Sequence, residues 1–316
     1  MEISKIKTLS DNIKNNINKI IIGKNSTIDL ILTCILAKGN ILLEDTPGTG
    51  KTMMAKSLAK SLDINFNRIQ FTPDLLPADV IGLSVFNQKE DRFNFVPGPI
   101  FTNILLADEI NRATPRTQSS LLEAMEEKQV TTDGESRTLD NPFIVIATQN
   151  PVETLGTFPL PEAQLDRFMM QLSLGYPSYD EELQILDRFL NNNPIETNNP
   201  VCSKKDIIEM QNSISQVYVH SVIKKYIVDL VQATRNASEI SLGVSPRGSL
   251  TMIKAAQSYA AINGRDFVIP DDIKTLAIPI FAHRIISFNG YNSSENSKII
   301  DKILSEIKVP TEDWRK

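Results

Sequence analysis

The stretch Asn40-Ile-Leu-Leu-Glu-Asp-Thr-Pro-Gly-Thr-Gly-Lys-Thr52 decides the fold. Ile41 to Leu43 reads as a buried strand, Pro47 to Gly50 as a tight turn, and Lys51 as the opening of a helix. In that helix Met54, Leu58 and Leu62 recur at four-residue spacing and share one face. A strand, a glycine-containing turn and a helix start together make an anion site. Small residues let backbone N–H groups converge on a phosphate, and the helix dipole favours its charge. Lys51 is placed to reach the β- and γ-phosphates of a nucleotide, and the Thr52 hydroxyl to ligate Mg²⁺. The usual pattern G-x-x-x-x-G-K-[ST] wants glycine at position 45, where this chain has Asp45. Gly48, Gly50, Lys51 and Thr52 still allow the loop to close, but an ordinary strand–turn–helix corner stays open on these residues alone.

Working outward, 316 residues suggest about two domains and ample chain for a hydrophobic core. The apolar run Ile28 to Ala37 is broken by polar residues and falls short of the about 18 residues that a membrane span needs. The start, Met1-Glu-Ile-Ser-Lys5, has no apolar signal core, which points to a cytoplasmic protein. Cys34 and Cys202 are far apart and belong to no metal-type cluster; Cys34 reads as a buried free thiol. The formal charge of −5, without a basic block, argues against general nucleic-acid binding. Before the loop, the pattern predicts a helix over 6–19, a strand-like piece Ile20 to Gly23, and a helix over 25–37. Ile21, Ile22 and Gly23 are candidates for an adenine pocket, with core packing as the alternative for the isoleucines.

A second strand is expected over 64–71, with Ile64, Phe66 and Arg68 on one face. Two apolar segments, 80–86 and 92–96, flank a polar turn and read as a hairpin whose Phe86, Phe93 and Phe95 pack one face on their own domain. Ile104 to Ala107 is a short continuous apolar run, the pattern of a strand buried on both faces, and it ends in Asp108-Glu109. Adjacent carboxylates at the end of a buried strand are costly unless a cation meets them. Beside a phosphate loop that cation is a hydrated Mg²⁺ held through Asp108, and Glu109 can polarise the attacking water as general base. A helix over 115–128, with Pro115 in its first turn, buries Leu121, Leu122 and Met125. Asp133-Gly134 marks a second hairpin over 129–139. The strand Phe143 to Ala147 ends in Thr148-Gln149-Asn150, and Asn150 can orient the lytic water and sense the γ-phosphate.

Residues 40–52, 105–113, 117–127, 147–151, Leu160 to Phe168 and Ser245-Pro-Arg247 together resemble the MoxR family of AAA+ ATPases over nearly the whole chain. The resemblance implies an α/β fold: a P-loop αβα core with a five-stranded parallel sheet of order 5-1-4-3-2, and a helical lid. It implies a core over 1–193 and a lid over 201–316, with the hairpins near 80–97 and 129–139 as the family's two inserts. ATP or ADP with Mg²⁺ would sit on Pro47, Gly48, Thr49, Gly50, Lys51, Thr52 and Met53. Asn150 would be sensor 1, Arg167 the arginine finger reaching the next subunit's ATP, and Arg247 sensor 2. Asp45 is a variant that the family tolerates.

Ser245-Pro246 is a helix-start signature, so Arg247 falls in a first turn, where a cation opposes the helix dipole. A nearby anion, the γ-phosphate, would explain it. Arg112 and Arg116 read as solvated helix-start residues, with contact to a neighbouring subunit as the alternative. Beyond Pro177 the pattern is wholly helical. A helix over 180–190 leads to a linker over 191–200, followed by helices near 203–219, 221–237, 247–263, 270–284 and 295–307. His220 and His283 are isolated and read as structural.

The expected function is therefore Mg²⁺-dependent ATP hydrolysis by a ring, hexameric by resemblance, that remodels or matures a protein client. The resemblance further implies a partner with a von Willebrand factor A domain. A nucleic-acid motor and the motor subunit of a metal chelatase are the alternatives. The mixed charge of the hairpins argues against the first.

Overall fold

The computed structural model describes residues 1–151, 156–190 and 194–311. Two helices, α1 (Ile3–Asn18) and α2 (Asn25–Leu36), precede β1 (Ile41–Glu44) and α3 (Lys51–Ser61). Between α1 and α2, Ile20 to Gly23 is a turn and not the strand expected from its isoleucines. Ile20 and Ile22 are buried, so packing sets their positions without any strand partner. Next come β2 (Phe66–Gln70), α4 (Pro77–Ile81), the hairpin β3 (Gly82–Asn87) and β4 (Arg92–Pro97), and β5 (Ile104–Asp108). Then α5 (Pro115–Glu127) leads into a second hairpin, β6 (Gln129–Thr132) and β7 (Glu135–Thr138). The positive φ of Asp133 and Gly134 is what such a two-residue turn requires. The core closes with β8 (Ile144–Gln149), α6 (Glu162–Leu165) and β9 (Met170–Leu172).

β1, β2, β5, β8 and β9 form one parallel sheet in the order β2-β5-β8-β1-β9. Counted within that sheet alone, this is the expected 5-1-4-3-2. The period of two along each strand divides the core. Ile41, Leu43, Ile104, Leu106, Ile144 and Ile146 face one buried cluster, and Leu42, Leu105, Ala107, Val145 and Ala147 face another. The first cluster runs through α1, α2 and α3; the second runs beneath α5 and the base of the second hairpin. Burial on both faces is why these strands read as continuous apolar runs.

After β9 come α7 (Tyr179–Phe189), α8 (Pro194–Thr197), α9 (Lys204–Ser213) and α10 (Ser221–Asn236). They are followed by β10 (Ile240–Leu242), α11 (Pro246–Ile262), α12 (Pro270–Phe281), β11 (Ile286–Ser287) and α13 (Ser293–Glu306). Part of the expected linker, 194–197, is a helical turn; 191–193 lie outside the described residues. The helix expected over 203–219 stops at Ser213 and continues as a 3-10 turn. The pair β10–β11 corrects the wholly helical expectation for this region. The apolar faces of α10, α11 and α12 belong to the same buried cluster as α1 and α2. Polar ties reach α2 as well: Ser258 of α11 donates to the Thr33 carbonyl (2.8 Å) and Gln211 of α9 to that of Ile35 (2.8 Å). Cys34 lies in this core, where burial pushes its thiol far up and leaves it inert.

Candidate nucleotide site

At the exit end of β1 the chain turns through Gly48 and Gly50, both with φ near +90°. A Cβ built on either would meet nothing, so glycine is required here by backbone conformation, and the space above the loop is open. Gly50 caps α3, whose first residue is Lys51. The Lys51 ammonium folds back onto the carbonyls of Asp45 (2.8 Å) and Thr46 (3.4 Å), a cation held by loop acceptors where phosphate oxygens could replace them. Thr49 closes the turn through its hydroxyl to the Thr46 carbonyl (3.4 Å).

Asp45 is buried and fully engaged. Its carboxylate accepts from the Ser173 hydroxyl (2.7 Å) and from the backbone N–H groups of Leu174 (2.8 Å) and Gly175 (2.9 Å). The residue that breaks the usual pattern thus ties the loop to the segment leaving β9. That segment delivers Tyr176, whose hydroxyl bonds the Thr46 hydroxyl (2.9 Å) and whose carbonyl accepts from Lys24 (3.1 Å). Gly23 lies against the start of α7: a Cβ there would fall 1.7 Å from the Glu181 carboxylate. The stretch Ile21 to Gly23 is therefore brought beside the loop by Tyr176 and Glu181, neither of which stood out in the sequence.

Two strands across the sheet, Asp108 ends β5. Its Oδ1 accepts from Thr148 (2.6 Å), and its Oδ2 from Arg68 Nη2 (2.7 Å) and Nε (3.1 Å). A cation does meet this carboxylate, the Arg68 guanidinium, because β2 runs beside β5 with Arg68 opposite Leu106. Glu109 follows in a left-handed conformation (φ 55°), its N–H donating to Thr148 Oγ1 (2.8 Å). Its Oε2 accepts from Gln70 (2.7 Å) and Arg112 (2.9 Å). Arg112 is thus an ion-pair partner of Glu109 rather than a solvated helix-start residue; Arg116 is exposed. Asn150 is buried just past the end of β8, the neighbour of β1.

Among the described residues no three His, Cys, Asp or Glu gather as metal ligands. One hydroxyl (Thr52) and one carboxylate (Asp108) fit Mg²⁺, which keeps waters and takes phosphate oxygens instead of a protein cage. His220 caps α10, and burial pushes His283 well down, so both histidines are structural.

Arg167 and Arg247 come together, but away from their own loop. Both pair with Glu126 near the end of α5: Arg167 Nε lies 3.3 Å from Oε2, and Arg247 Nη2 lies 2.9 Å from Oε1. Asp166 fixes the surroundings by accepting from Ser245 (3.0 Å) and from Arg284 Nε (2.7 Å). The two arginines line a cavity of about 470 Å³ with Lys38, Gly39 and Asn40, the residues that enter β1. The phosphate loop leaves β1 at its other end. The first turn of α11 does hold an arginine facing an anion, as its position suggested, but that anion is Glu126.

Residues 40–170 match the family described as ATPase family associated with various cellular activities (AAA), and residues 232–307 match the AAA lid domain. The protein YeaC of Bacillus subtilis (strain 168), itself uncharacterised, is 52% identical over 94% of this chain and 93% of its own length. The chaperone MoxR1 of Mycobacterium tuberculosis is 38% identical over 93% of this chain and 80% of its own. A crystal structure from Cytophaga hutchinsonii, assigned as an ATPase, superposes with a TM-score of 0.89 at 41% identity, covering 97% of this chain and 96% of that one. The phosphate loop, the paired carboxylates and these relatives lead to one conclusion: the chain is an ATP-hydrolysing member of the MoxR family of AAA+ ATPases.

Proposed function

We propose that this chaperone-like ATPase works as a ring whose sites are completed between subunits, and that it spends ATP on remodelling or maturing a protein client. The observation that carries this reading is the position of Arg167 and Arg247. Both stand at the entry end of β1, away from the chain's own phosphate loop, which supports their reaching a phosphate on a second copy of the chain.

In this scheme Lys51 exchanges the Asp45 and Thr46 carbonyls for β- and γ-phosphate oxygens. Mg²⁺, held by Thr52 and by Asp108, would neutralise charge on the transferring phosphoryl group. Asp108 must release Arg68 to take this part. Asn150 orients the attacking water, and Glu109 takes its proton as the water oxygen bonds phosphorus and ADP departs. Because Gln70 and Arg112 now share the Glu109 carboxylate, Glu109 becomes a base only after turning from them. Arg167 and Arg247 of the neighbour meet the charge on the γ-phosphoryl group.

A protein client is favoured over nucleic acid by the hairpins. Their arginines are neutralised at home, Arg92 by Glu90 (2.8 Å) and Arg137 by Glu135 (2.5 Å), which leaves little to release counterions from a phosphate backbone. The first hairpin instead exposes Leu83, Val85, Val96 and Phe93, the last 70% exposed. Apolar exposure of this kind suits a protein surface. A von Willebrand factor A domain partner remains part of the proposal on family resemblance. The test is turnover per subunit against protein concentration, with DNA, RNA or candidate partner protein added. The reading requires turnover that rises with concentration to a plateau and is stimulated by protein. Concentration-independent turnover with stimulation by nucleic acid would refute it.

A further inference from the structure

The most unusual charge arrangement outside the phosphate loop is the single carboxylate of Glu126 shared by two arginines from different parts of the chain. Arg167 precedes β9 in the core and Arg247 opens α11 in the lid. Glu126 gives one oxygen to each. The other acid lining the cavity, Asp166, is taken by Arg284 and Ser245, so Glu126 is the acid on which the two arginines converge. The side chains of Arg167, Arg247 and Glu126 are 32%, 43% and 40% exposed, so the cluster stands open to whatever approaches from outside.

We infer that Glu126 is a positioning residue: a stand-in anion that holds Arg167 and Arg247 as a pair and yields them only to a stronger anion, the γ-phosphate of a neighbouring subunit. This rests on the reading that both arginines act across the subunit boundary. A planar carboxylate with one negative charge receives one N–H from each arginine. A terminal phosphate offers three oxygens and more charge, and charge-assisted bonds to it are stronger. Half-exposed ion pairs are weak, so the carboxylate is readily displaced by ATP. When hydrolysis removes the γ-phosphate, ADP presents its nearest charge one phosphate further away, and Glu126 recaptures both arginines. Glu126 therefore sets the threshold by which the boundary distinguishes ATP from ADP. Because it links a core loop to the lid, it also closes a core–lid contact each time ADP forms.

The test compares wild type, Glu126→Gln and the neighbouring control Glu127→Gln. It measures the ADP inhibition constant divided by KM for ATP, and assembly in ADP by sedimentation. Glu126→Gln is isosteric at a half-exposed position, and thermal unfolding checks that it folds. We expect its ratio to rise about fivefold, the scale of one to two exposed ion pairs, because ATP no longer has to displace the carboxylate, and assembly in ADP to persist to lower concentration. Glu127→Gln should behave as wild type. An unchanged or lowered ratio, with Arg167→Ala and Arg247→Ala inactive, overturns the role of Glu126 alone. Full turnover by Arg167→Ala and Arg247→Ala overturns the boundary reading and this inference with it.

Discussion

Asp45 occupies a place where the usual phosphate loop has glycine, and its three accepted hydrogen bonds say what it does there. Asp45→Ala leaves the Ser173 hydroxyl and two backbone N–H groups without their acceptor, which should cost about 3 kcal/mol of stability. Denaturant unfolding measures this, and a change below about 0.5 kcal/mol would contradict it. Within the loop the roles divide. Lys51→Ala should abolish ATP binding, whereas Glu109→Gln should bind ATP yet turn over at least ~100-fold more slowly. Rapid turnover by Glu109→Gln would remove Glu109 as base. The placement of Lys51 and Thr52 at a helix start and of Asp108 and Glu109 at a strand end was legible in the sequence because it is local, set by a turn and by a strand end. Arg68 and Gln70 were not. Their partners, Asp108 and Glu109, lie at the end of β5 and just past it, and nothing in a single strand announces the register that sets Gln70 opposite Asp108. Glu126 was hidden for the same reason: it meets arginines 41 and 121 positions further along the chain.

At the scale of elements, β1, β5 and β8 were legible because burial on both faces writes continuous apolar runs, whereas the strand order followed from the family resemblance. The turn at Ile20 to Gly23 was misread because three isoleucines satisfy a packing requirement as well as a strand. β10 and β11 are too short to show a period. The two hairpins were placed correctly, but their contact was not foreseen. Ser84 bonds Asp133 (2.5 Å), and the Arg137 guanidinium lies 4.0 Å from the centroid of the Phe95 ring. Phe95 packs inward as the alternation suggested, but Phe86 and Phe93, paired across the strands with rings tilted by 59°, stay exposed, which corrects the expectation that all three pack on the domain. The second hairpin leaves α5 through Lys128, in left-handed conformation, two residues past Glu126. Burial pushes Lys128 down to about 8, and its ammonium bonds the Phe143 carbonyl (3.2 Å). Between pH about 8 and its ordinary 10.5 the folded chain has released this proton and the unfolded chain still holds it. Stability from this group therefore rises with pH across that window. Lys128→Met should be more stable than wild type near pH 7, with the advantage shrinking toward pH 10.5. Unfolding at a series of pH values checks this, and a constant difference would contradict it.

For the whole molecule, the sheet sets the geometry of function. Because its strands are parallel, the loops at their exit ends form one face and the residues that enter them form another. Lys51, Asp108, Glu109 and Asn150 collect on the first; Arg167, Arg247 and Glu126 collect beside the second. In the proposed assembly, one copy of the chain would carry two incomplete halves of a hydrolytic site, facing apart, which a head-to-tail ring would join at every boundary. Among the described residues no helix is long and apolar enough to cross a membrane. The measurement that bears most directly on the divided site is complementation. Arg167→Ala alone should bind ATP but lose hydrolysis on the ~10³-fold scale of arginine fingers, and Lys51→Ala alone should be inactive. Mixed and co-assembled, the two variants should regain turnover, because some boundaries then pair an intact loop with an intact arginine. Confirmed co-assembly with no recovery at any mixing ratio would contradict the account.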